Sequence, residues 1–456
     1  MRASPAIMWF RRDLRLADNP ALLAAAESGP VLPVFVLDPA LIRPAGGPRL
    51  AMLYRTLRVL DDQLRERGGR LTVRNGDPAD EIIGLAAAVG AGSVHIAADF
   101  GPYGTIRDDT VAERLAARGI PLVRTGSAYA VTPGRIRTAA GEPYRVFTPF
   151  YRAWRRHGWR SPAPSPGPDT RWLHGDGVPV PEEPGPAISA LRLPEAGEPA
   201  AQLAWERFRG NGLAHYAERR NLPAVDATSG LSVHLKFGTI HPRTLLAGLG
   251  PDDDPFARQL AWRDFYADVL RCWPDSARHC FQPGMADLPW ASGPQADERF
   301  SAWRQGRTGY PLVDAGMRQL AATGWMHNRV RMVTASFLVK DLHIEWTSGA
   351  RYFMRALVDG DLANNQHGWQ WTAGTGTDAA PYVRVLNPVT QSRRFDPDGD
   401  YLRRWVPELR GLPASQIHTP WQRPGGPPNG YPLPIVDHAT ERRVALDGYY
   451  LGQASR

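Results

Sequence analysis

Two short apolar runs near the start, Ala6-Ile7-Met8-Trp9-Phe10 and Val31-Leu32-Pro33-Val34-Phe35-Val36-Leu37, decide the fold of the first part of the chain. The stretch between them, 20–28, has the length and composition of a helix. Short apolar runs that alternate with helices are typical of buried parallel strands. The opening therefore predicts an α/β domain with a doubly wound parallel sheet.

The same alternation continues to about residue 130. It predicts further strands at 71–74, 93–97 and 121–124, and further helices at 50–67, 78–89 and 105–118. Ligands in such sheets bind beyond the carboxyl ends of the strands, where this sequence carries Arg11, Asp38 and Asp99. No Gly-x-Gly-x-x-Gly follows the first run and no P-loop lysine motif occurs, so a nicotinamide or nucleoside triphosphate site is not supported.

A proline-rich connector follows, with ten prolines between 161 and 200. Beyond it, apolar residues at three- and four-residue spacing predict a mostly α-helical domain. Its predicted helices are 203–220, 255–270, 312–323, 329–341, 350–357 and 437–451. The predicted organisation is an α/β domain over 1–130, a connector over 131–200 and a helical domain over 201–456.

Composition restricts the class of protein. The 54 Lys and Arg against 46 Asp and Glu give a net charge of +8, which is consistent with a nucleic-acid partner but does not establish one. Cys272 and Cys280 are too few for a structural zinc site or an iron–sulfur cluster and are typical of a reducing compartment. No apolar run is long enough to span a membrane and no secretory signal opens the chain, so we expect a cytoplasmic protein.

The residues best suited to bind a cofactor or to transfer electrons lie in Asp359-Gly360-Asp361-Leu362-Ala363-Asn364-Asn365-Gln366-His367-Gly368-Trp369-Gln370-Trp371. The acids could bind the hydroxyls or ring nitrogen of a cofactor, the amides could bond a heteroaromatic ring, and an indole could donate an electron to it. The chain has 15 Trp, and several beside such a cluster suggest stacking or electron transfer. Taken alone, the stretch also fits the ordinary core of a helical domain.

Three other strings add to this one. The small polar loop 224–232 precedes a helix and could hold a pyrophosphate at the helix N-terminus, although a simple capped turn explains it equally. The string 259–266 puts Gln259 and Arg263 four apart on one helical face, beside Trp262, and 325–332 puts Asn328 and Arg331 three apart.

Together with the opening Trp9-Phe10-Arg11-Arg12-Asp13-Leu14-Arg15-Leu16, these strings closely resemble the photolyase/cryptochrome family over essentially the whole chain. The resemblance implies that the helical domain binds FAD. The FAD residues that it implies are Tyr216, Thr228, Ser229, Gly230, Leu231, Ser232, Gln259, Arg263, Asn328, Arg331, Asp359, Gly360, Asp361 and Asn365.

The resemblance also assigns roles. Arg263 would neutralise phosphate, Asp359 would pair with Arg331, Asp361 would bond the flavin or ribityl edge, and Asn365 would face flavin N5. Plant-type cryptochromes tend to carry an acid at that last place, so the amide favours a repair enzyme. The residues matching the electron relay are Trp369, Trp346 and Trp290, with Trp303 as the competing terminal donor.

For DNA, Trp262 and Trp371 resemble the aromatics that flank a flipped pyrimidine dimer. The other residues expected at the lesion or the phosphates are Arg220, Gln259, Asn328, Arg329, Met332 and Arg394. Gln259 stands where many cyclobutane-dimer photolyases carry Glu, and an amide cannot protonate the dimer, so efficiency and lesion type stay open. The string 327–332 lacks the paired histidines of six-four photolyases.

An antenna chromophore is implied as well. Leu235-Lys236-Phe237-Gly238 and Pro102-Tyr103-Gly104 resemble the branch that binds 8-hydroxy-5-deazaflavin, with 5,10-methenyltetrahydrofolate as the alternative. Lys236 would offset the deazaflavin phenolate, although it could equally be a solvated lysine. The rest of the pocket would be Arg11, Phe35, Asp38 and Arg49. Gly101 departs from the acid found there in some relatives.

The implied function is light-driven repair of cyclobutane pyrimidine dimers in DNA, in which excited FADH⁻ gives an electron to the flipped dimer and recovers it after the ring splits. The enzyme would be a carbon–carbon lyase, expected to be a monomer, and needs no metal. A cryptochrome-type blue-light receptor is the alternative. A flavoprotein electron carrier would leave the basic charge and the pocket aromatics without a role.

Overall fold

The computed structural model describes residues 4–286, 288–377 and 384–454. Five strands form one parallel sheet in the order β3-β2-β1-β4-β5. The strands are β1 (Ala6–Phe10), β2 (Val31–Leu37), β3 (Thr72–Asn75), β4 (Ser93–Ala98) and β5 (Leu122–Ser127). The predicted doubly wound sheet is confirmed, with β3 shifted by one residue and β5 extended to Ser127.

The centre of the sheet is buried on both faces. Every residue of β1 and β2 is buried, which is why both read as unbroken apolar runs. Ile7 of β1 pairs with Leu32 of β2 on one side and with Val94 of β4 on the other. The strand order reverses at β1, so a crevice for ligands is expected beyond the carboxyl ends of β1 and β4.

The chain divides by its internal contacts into two units, Met1–Ala190 with Pro194–Ala214 and Ser229–Pro274, and Leu191–Leu193 with His215–Thr228 and Asp275–Arg456. We call them the first and the second unit. The predicted domain borders near 130 and 200 describe a different division and stay a prediction. No helix among the described residues is long and apolar enough to cross a membrane.

The first unit contains the sheet and eleven of the helices described. They are α1 (Pro20–Ser28), α2 (Pro39–Ile42), α3 (Gly47–Arg65), α4 (Pro78–Val89), α5 (Pro102–Ala116), α6 (Phe147–His157), α7 (Pro186–Ser189), α8 (Gly197–Asn211), α10 (Ser232–Phe237), α11 (Pro242–Ala247) and α12 (Asp254–Cys272). Polar caps fix several starts: Asn19 Oδ1 accepts from Leu22 N, and Asp77 Oδ1 accepts from Ala79 N.

The predicted helix 203–220 is wrong in its extent. Helix α8 ends at Asn211, and the chain continues through a 3₁₀ turn to the short helix α9 (Tyr216–Arg219). Gly210 and Gly212 weaken the helix here, because glycine loses more conformational entropy than other residues on becoming helical. The ring of Phe208 also folds over Gly212, where a Cβ would lie 2.7 Å from its Cδ2.

The second unit is helical and is built around buried aromatic rings, among them Trp303, Phe337, Trp346, Trp369 and Tyr401. Its helices, after α9, are α13 (Pro294–Gln305), α14 (Pro311–Thr323), α15 (Asn328–Lys340), α16 (Trp346–Ala356), α17 (Leu362–Ala373), α18 (Pro388–Phe395), α19 (Asp400–Trp405), α20 (Ala414–Ile417) and α21 (His438–Ala454). The helices predicted over 312–323, 329–341 and 437–451 are confirmed within a few residues. That predicted over 350–357 starts earlier, at Trp346.

Candidate functional site

The first feature of the candidate site in the second unit is the ion pair between Asp359 and Arg331, which we call the acid–arginine pair. Arg331, in the first turn of α15, donates from Nη2 to Asp359 Oδ2 at 2.8 Å and from Nε to the carbonyl of Met326. The two residues expected to pair therefore do so. The other oxygen, Asp359 Oδ1, is buried and has no hydrogen-bond partner among the described residues. A buried carboxylate oxygen without a donor is costly, so this atom is suited to a polar ligand.

The amides and the second acid lie at the start of α17. Asp361 caps the helix, since its Oδ1 accepts from Asn364 N at 3.1 Å and from Asn364 Nδ2 at 2.8 Å. Asn365 Nδ2 donates to Ala350 O at 3.0 Å and to Gln366 Oε1 at 2.8 Å. These two bonds use both amide hydrogens, so Asn365 presents its carbonyl oxygen as an acceptor to a ligand.

The relay tryptophans belong to the core of the second unit. Trp369 and Trp346 are buried, and Trp290 is half-buried. Trp303 is fully buried, lies 6.2 Å from Trp369 between ring centroids, and donates from Nε1 to Thr334 O at 3.0 Å. A terminal electron donor has to exchange with solvent, and that requirement favours the half-buried Trp290 over Trp303.

Sequence reasoning missed Gly349, which sets the position of Trp369. A Cβ on Gly349 would lie 2.2 Å from Cη2 of the Trp369 ring and 2.6 Å from Leu338 Cδ2. The indole therefore packs directly on the backbone of α16, at a place where only glycine fits. The signal was available as a glycine three residues after Trp346, but glycine in a helix has no single structural meaning.

In the first unit, Trp262 on α12 is supported by a residue that sequence reasoning did not single out. Phe147, the first residue of α6, stacks on its indole with a centroid distance of 3.7 Å and an interplanar angle of 9°. Phe265 meets the same indole edge-on at 5.6 Å. Trp262 is half-buried, so Phe147 covers one side and fixes the plane of the ring.

The other predicted residues of α12 contact the backbone. Gln259 Nε2 donates to Pro255 O at 3.3 Å, one helical turn earlier. Arg263 donates to Ala128 O at 2.7 Å and to Leu235 O at 3.0 Å, and its guanidinium lies over the ring of Tyr129. The expected phosphate role of Arg263 stays a prediction.

The small polar loop crosses from one unit to the other, with Thr228 in the second unit and Ser229 in the first. Within the first unit, Ser229 Oγ accepts from Leu231 N at 3.3 Å, Gly230 has a φ of +64°, and Ser232 begins α10. Leu231 is buried. In the second unit, the buried ring of Tyr216 begins α9.

Three arginines expected to bind DNA are close together in the second unit. Burial lowers the pKa of Arg329, and the charges of Arg220 and Arg394 lower it further. Arg329 donates to Asn221 Oδ1 at 2.9 Å, and both Arg329 and Arg394 lie over the ring of Phe395. We call Arg220, Arg329 and Arg394 the arginine cluster. It concentrates positive charge, as a phosphate-binding surface requires.

Next to the arginine cluster, α15 begins with Asn328, which is exposed, and its Nδ2 lies 4.0 Å from Met332 Sδ. Both side chains are on one face of the helix, four residues apart. Trp371, on α17, is half-buried, and the guanidinium of Arg384 lies 5.8 Å from its ring.

The carboxyl edge of the sheet carries the charged residues predicted there. Arg11 follows β1 and donates to Asp108 and to Ala97 O. Asp38 follows β2 and accepts from Tyr103 Oη at 2.5 Å, and Phe35 is buried in the same strand. Burial raises the pKa of Asp99, but nearby arginines outweigh it and the pKa is lowered. Arg49 lies in the first turn of α3.

Helix α10, which carries Lys236, is fixed against the segment that carries Arg11. Leu14 N donates to Phe237 O at 3.2 Å, and Arg15 Nη1 donates to Gly238 O at 3.0 Å. Gly238 has a φ of +68°, and a Cβ there would lie 1.9 Å from Arg12 O. Lys236 is half-buried. The two segments predicted to form one antenna pocket thus meet in the first unit.

Two family models match this chain over separate residue ranges. Residues 6–169 match the family model described as DNA photolyase, and residues 256–450 match the one described as FAD binding domain of DNA photolyase. The first match covers the sheet, and the second covers the acid–arginine pair, the relay tryptophans and Trp262.

Proteins that match almost the whole chain belong to the same family. The deoxyribodipyrimidine photo-lyase of Streptomyces griseus is 45% identical, over 96% of this chain and 98% of the relative. The crystal structure of a bacterial class III photolyase from Agrobacterium tumefaciens matches with a TM-score of 0.92 at 36% identity, covering 100% of this chain and 98% of that one. A cryptochrome structure from Synechocystis matches with a TM-score of 0.87 at 28% identity, covering 98% and 99%.

Proposed function

Because the chain belongs to the photolyase/cryptochrome family, we propose that it uses bound FAD and light to repair cyclobutane pyrimidine dimers in DNA. The observation that carries this proposal is Trp262, whose half-buried indole is held face to face against Phe147. A rigid aromatic surface of this kind suits an unstacked base, and a receptor without a substrate does not need one.

The second unit fits FAD at the acid–arginine pair. Asp359 Oδ1 is the buried acceptor that lacks a donor among the described residues, and an N–H or hydroxyl of FAD would supply one. Arg331 holds the carboxylate in place through Oδ2. Bound and reduced FAD would supply the electron for light-driven repair.

Asn365 would select the form of FAD beside it. Since its Nδ2 is held by Ala350 O and Gln366 Oε1, the side chain offers an acceptor and suits a protonated ring nitrogen. An ionised carboxylate at the same place would also accept, but it would add a negative charge beside a reduced cofactor. The neutral amide thus favours a site that keeps FAD reduced, as repair requires.

At the lesion, Trp262 would stack on the extruded base, a contact worth about 1–3 kcal/mol. In the second unit, Asn328 and Met332, on one face of α15, and Trp371 on α17 would contact the lesion. The arginine cluster would hold the phosphates. Since phosphate contacts position DNA without reading sequence, this division of roles suits an enzyme that acts on damage in any sequence.

Gln259 differs from these residues in what it can contribute. Its amide can donate or accept a hydrogen bond but cannot transfer a proton to a dimer carbonyl. The Nε2 bond to Pro255 O is long at 3.3 Å. We infer that Gln259 binds the lesion without protonating it.

Trp369, Trp346 and Trp290 would carry electrons from the surface to FAD, with the half-buried Trp290 as the terminal donor. For the antenna we propose 8-hydroxy-5-deazaflavin, with 5,10-methenyltetrahydrofolate as the other outcome. The contacts between α10 and residues 12–15 support a pocket shared by Lys236 and Arg11.

The decisive experiment is a repair assay on two lesions. Chemically reduced, FAD-loaded protein is incubated with an oligonucleotide that carries one cyclobutane thymine dimer, and in parallel with one that carries a six-four product. Near-UV light should restore thymines in the first substrate only, and the same mixture kept dark should restore none. Repair of neither lesion would contradict the proposal and favour the blue-light receptor, and repair of only the six-four product would contradict the lesion type.

A further inference from the structure

A cavity of about 410 Å³ lies in the first unit, and none of the residues assigned above to FAD, DNA or the antenna lines it. Its wall is built by the end of β5 with the loop that follows, the turn after α6, the start of α11, and Pro20 at the start of α1. The volume is that of a site for a small molecule.

The wall is strongly basic. Four arginines line it, Arg124, Arg135, Arg160 and Arg243, and no Asp or Glu among the described residues does. Two of them pair with carboxylates that do not line the cavity: Arg243 pairs with Asp18 at 2.6 Å and Arg124 with Asp109 at 2.8 Å. Within the described part of the chain, the side chains of Arg135 and Arg160 form no hydrogen bond or ion pair. Arg135 and Arg160 are exposed to solvent, so the cavity presents two arginines that have no carboxylate partner among the described residues.

The arginines also act on one another. Burial lowers the pKa of Arg243, Asp18 opposes that shift, and the charge of Arg160 adds to it. Arg160 is thus close enough to repel Arg243. An anion bound in the cavity would offset this repulsion.

An aromatic surface lies in the same wall. Trp159 lines the cavity, and its indole packs on Trp154 with a centroid distance of 4.6 Å. Trp154 is fully buried and donates from Nε1 to Asp264 Oδ2 at 3.0 Å, so it is a fixed support. Trp159 is half-buried and offers its remaining surface to a planar ring.

We propose that this cavity binds a phosphate-bearing ligand with a planar ring, of the size of a mononucleotide. Arg135 and Arg160 bind the phosphate by charge-assisted hydrogen bonds, and Trp159 stacks on the ring. The site is independent of the repair function proposed above.

The test uses FAD-loaded full-length protein and adenosine monophosphate as the probe, followed by calorimetry. We expect saturable binding that Arg135→Ala combined with Arg160→Ala weakens about tenfold or more. The matched control is Arg67→Ala combined with Arg118→Ala, which removes the same charge from two exposed positions of the first unit that do not line the cavity, and it should leave binding unchanged. Trp159→Leu should also weaken binding about tenfold.

Two further probes test the contributions of the ring and of the phosphate separately. Adenosine should bind weakly, and its affinity should be the same for the wild type and for the variant that lacks both cavity arginines. Inorganic phosphate should bind more weakly than adenosine monophosphate. The proposal is overturned if adenosine monophosphate does not bind at millimolar concentration, or if the control pair weakens binding as much as the cavity pair. Inorganic phosphate binding as tightly as the nucleotide, with no effect of Trp159→Leu, would overturn the assignment of the ring.

Discussion

Trp262→Ala is the change that tests the lesion pocket most directly. One face of the indole is already covered by Phe147 at 3.7 Å, so a flipped base has only the opposite face to stack on. Removing the indole should cost the stacking energy of one base, about 1–3 kcal/mol. The dissociation constant for dimer-containing DNA should therefore rise about five- to 150-fold. Fluorescence anisotropy with a labelled duplex at one fixed salt concentration measures it.

The support of the indole can be tested separately. Phe147→Leu keeps an apolar side chain but removes a parallel stack worth about 0.5–1.5 kcal/mol, so the indole stays present and loses its fixed plane. We expect a smaller loss of affinity than for Trp262→Ala. The matched control is Trp172→Ala, which removes another half-buried indole of the first unit and should not change DNA binding. FAD content, read from absorbance, should be the same in all three variants.

Unchanged affinity in Trp262→Ala, with FAD retained, would remove Trp262 from the lesion pocket. A loss in Trp172→Ala equal to that in Trp262→Ala would show that the effect comes from general destabilisation of the first unit. An effect of the same size on undamaged DNA would mean that Trp262 contributes to general DNA binding.

Four further changes test other parts of the chain. Trp369→Phe should abolish photoreduction of oxidised FAD, followed by absorbance under blue light, yet spare repair by chemically reduced protein. Gly349→Ala should lower the free energy of unfolding by about 1–3 kcal/mol through overpacking and slow photoreduction, whereas Gly368→Ala, which has open space, should not. Lys236→Ala should weaken 8-hydroxy-5-deazaflavin binding and raise the pKa of the bound phenol, read from its absorption band; uptake of the folate instead would contradict that antenna. Burial lowers the pKa of His367 to about 4. Its contribution to stability is therefore complete above the ordinary pKa of about 6.5 and is lost as the pH falls towards 4. Between pH 7 and pH 5, the free energy of unfolding of His367→Gln, measured in urea, should change by about 2 kcal/mol less than that of the wild type.

The sheet could be predicted from the sequence almost residue by residue because its central strands are buried on both faces. Every residue of Ala6–Phe10 is apolar and buried, so the strand begins and ends where the sequence changes between apolar and polar residues. Helix α8 shows the opposite case. Its apolar periodicity continues past Asn211, but Gly210 and Gly212 end the helix, and periodicity does not register backbone entropy.

Contacts in the candidate site could be predicted where the family resemblance names both partners, and not where packing between elements alone sets them. Asp359 and Arg331 were matched as a pair through the family resemblance, and the pair is present. Phe147 and Gly349 were missed because they lie outside the motifs that carry the resemblance, and their roles come only from packing against Trp262 and Trp369. A single sequence records neither contact.

The close fit of Gly238 under Arg12 limits how the antenna could be redesigned. Exchanging helix α10 for that of a relative with another chromophore would also transfer the joint between this helix and the N-terminal segment. Any chimera whose junction replaces the glycine would push residues 12–15 away from the first strand, and would lose Arg11 from its place along with them. Fusion points for such hybrids therefore belong after residue 238 and before residue 230, so that the helix and its glycine move together as one exchangeable cassette.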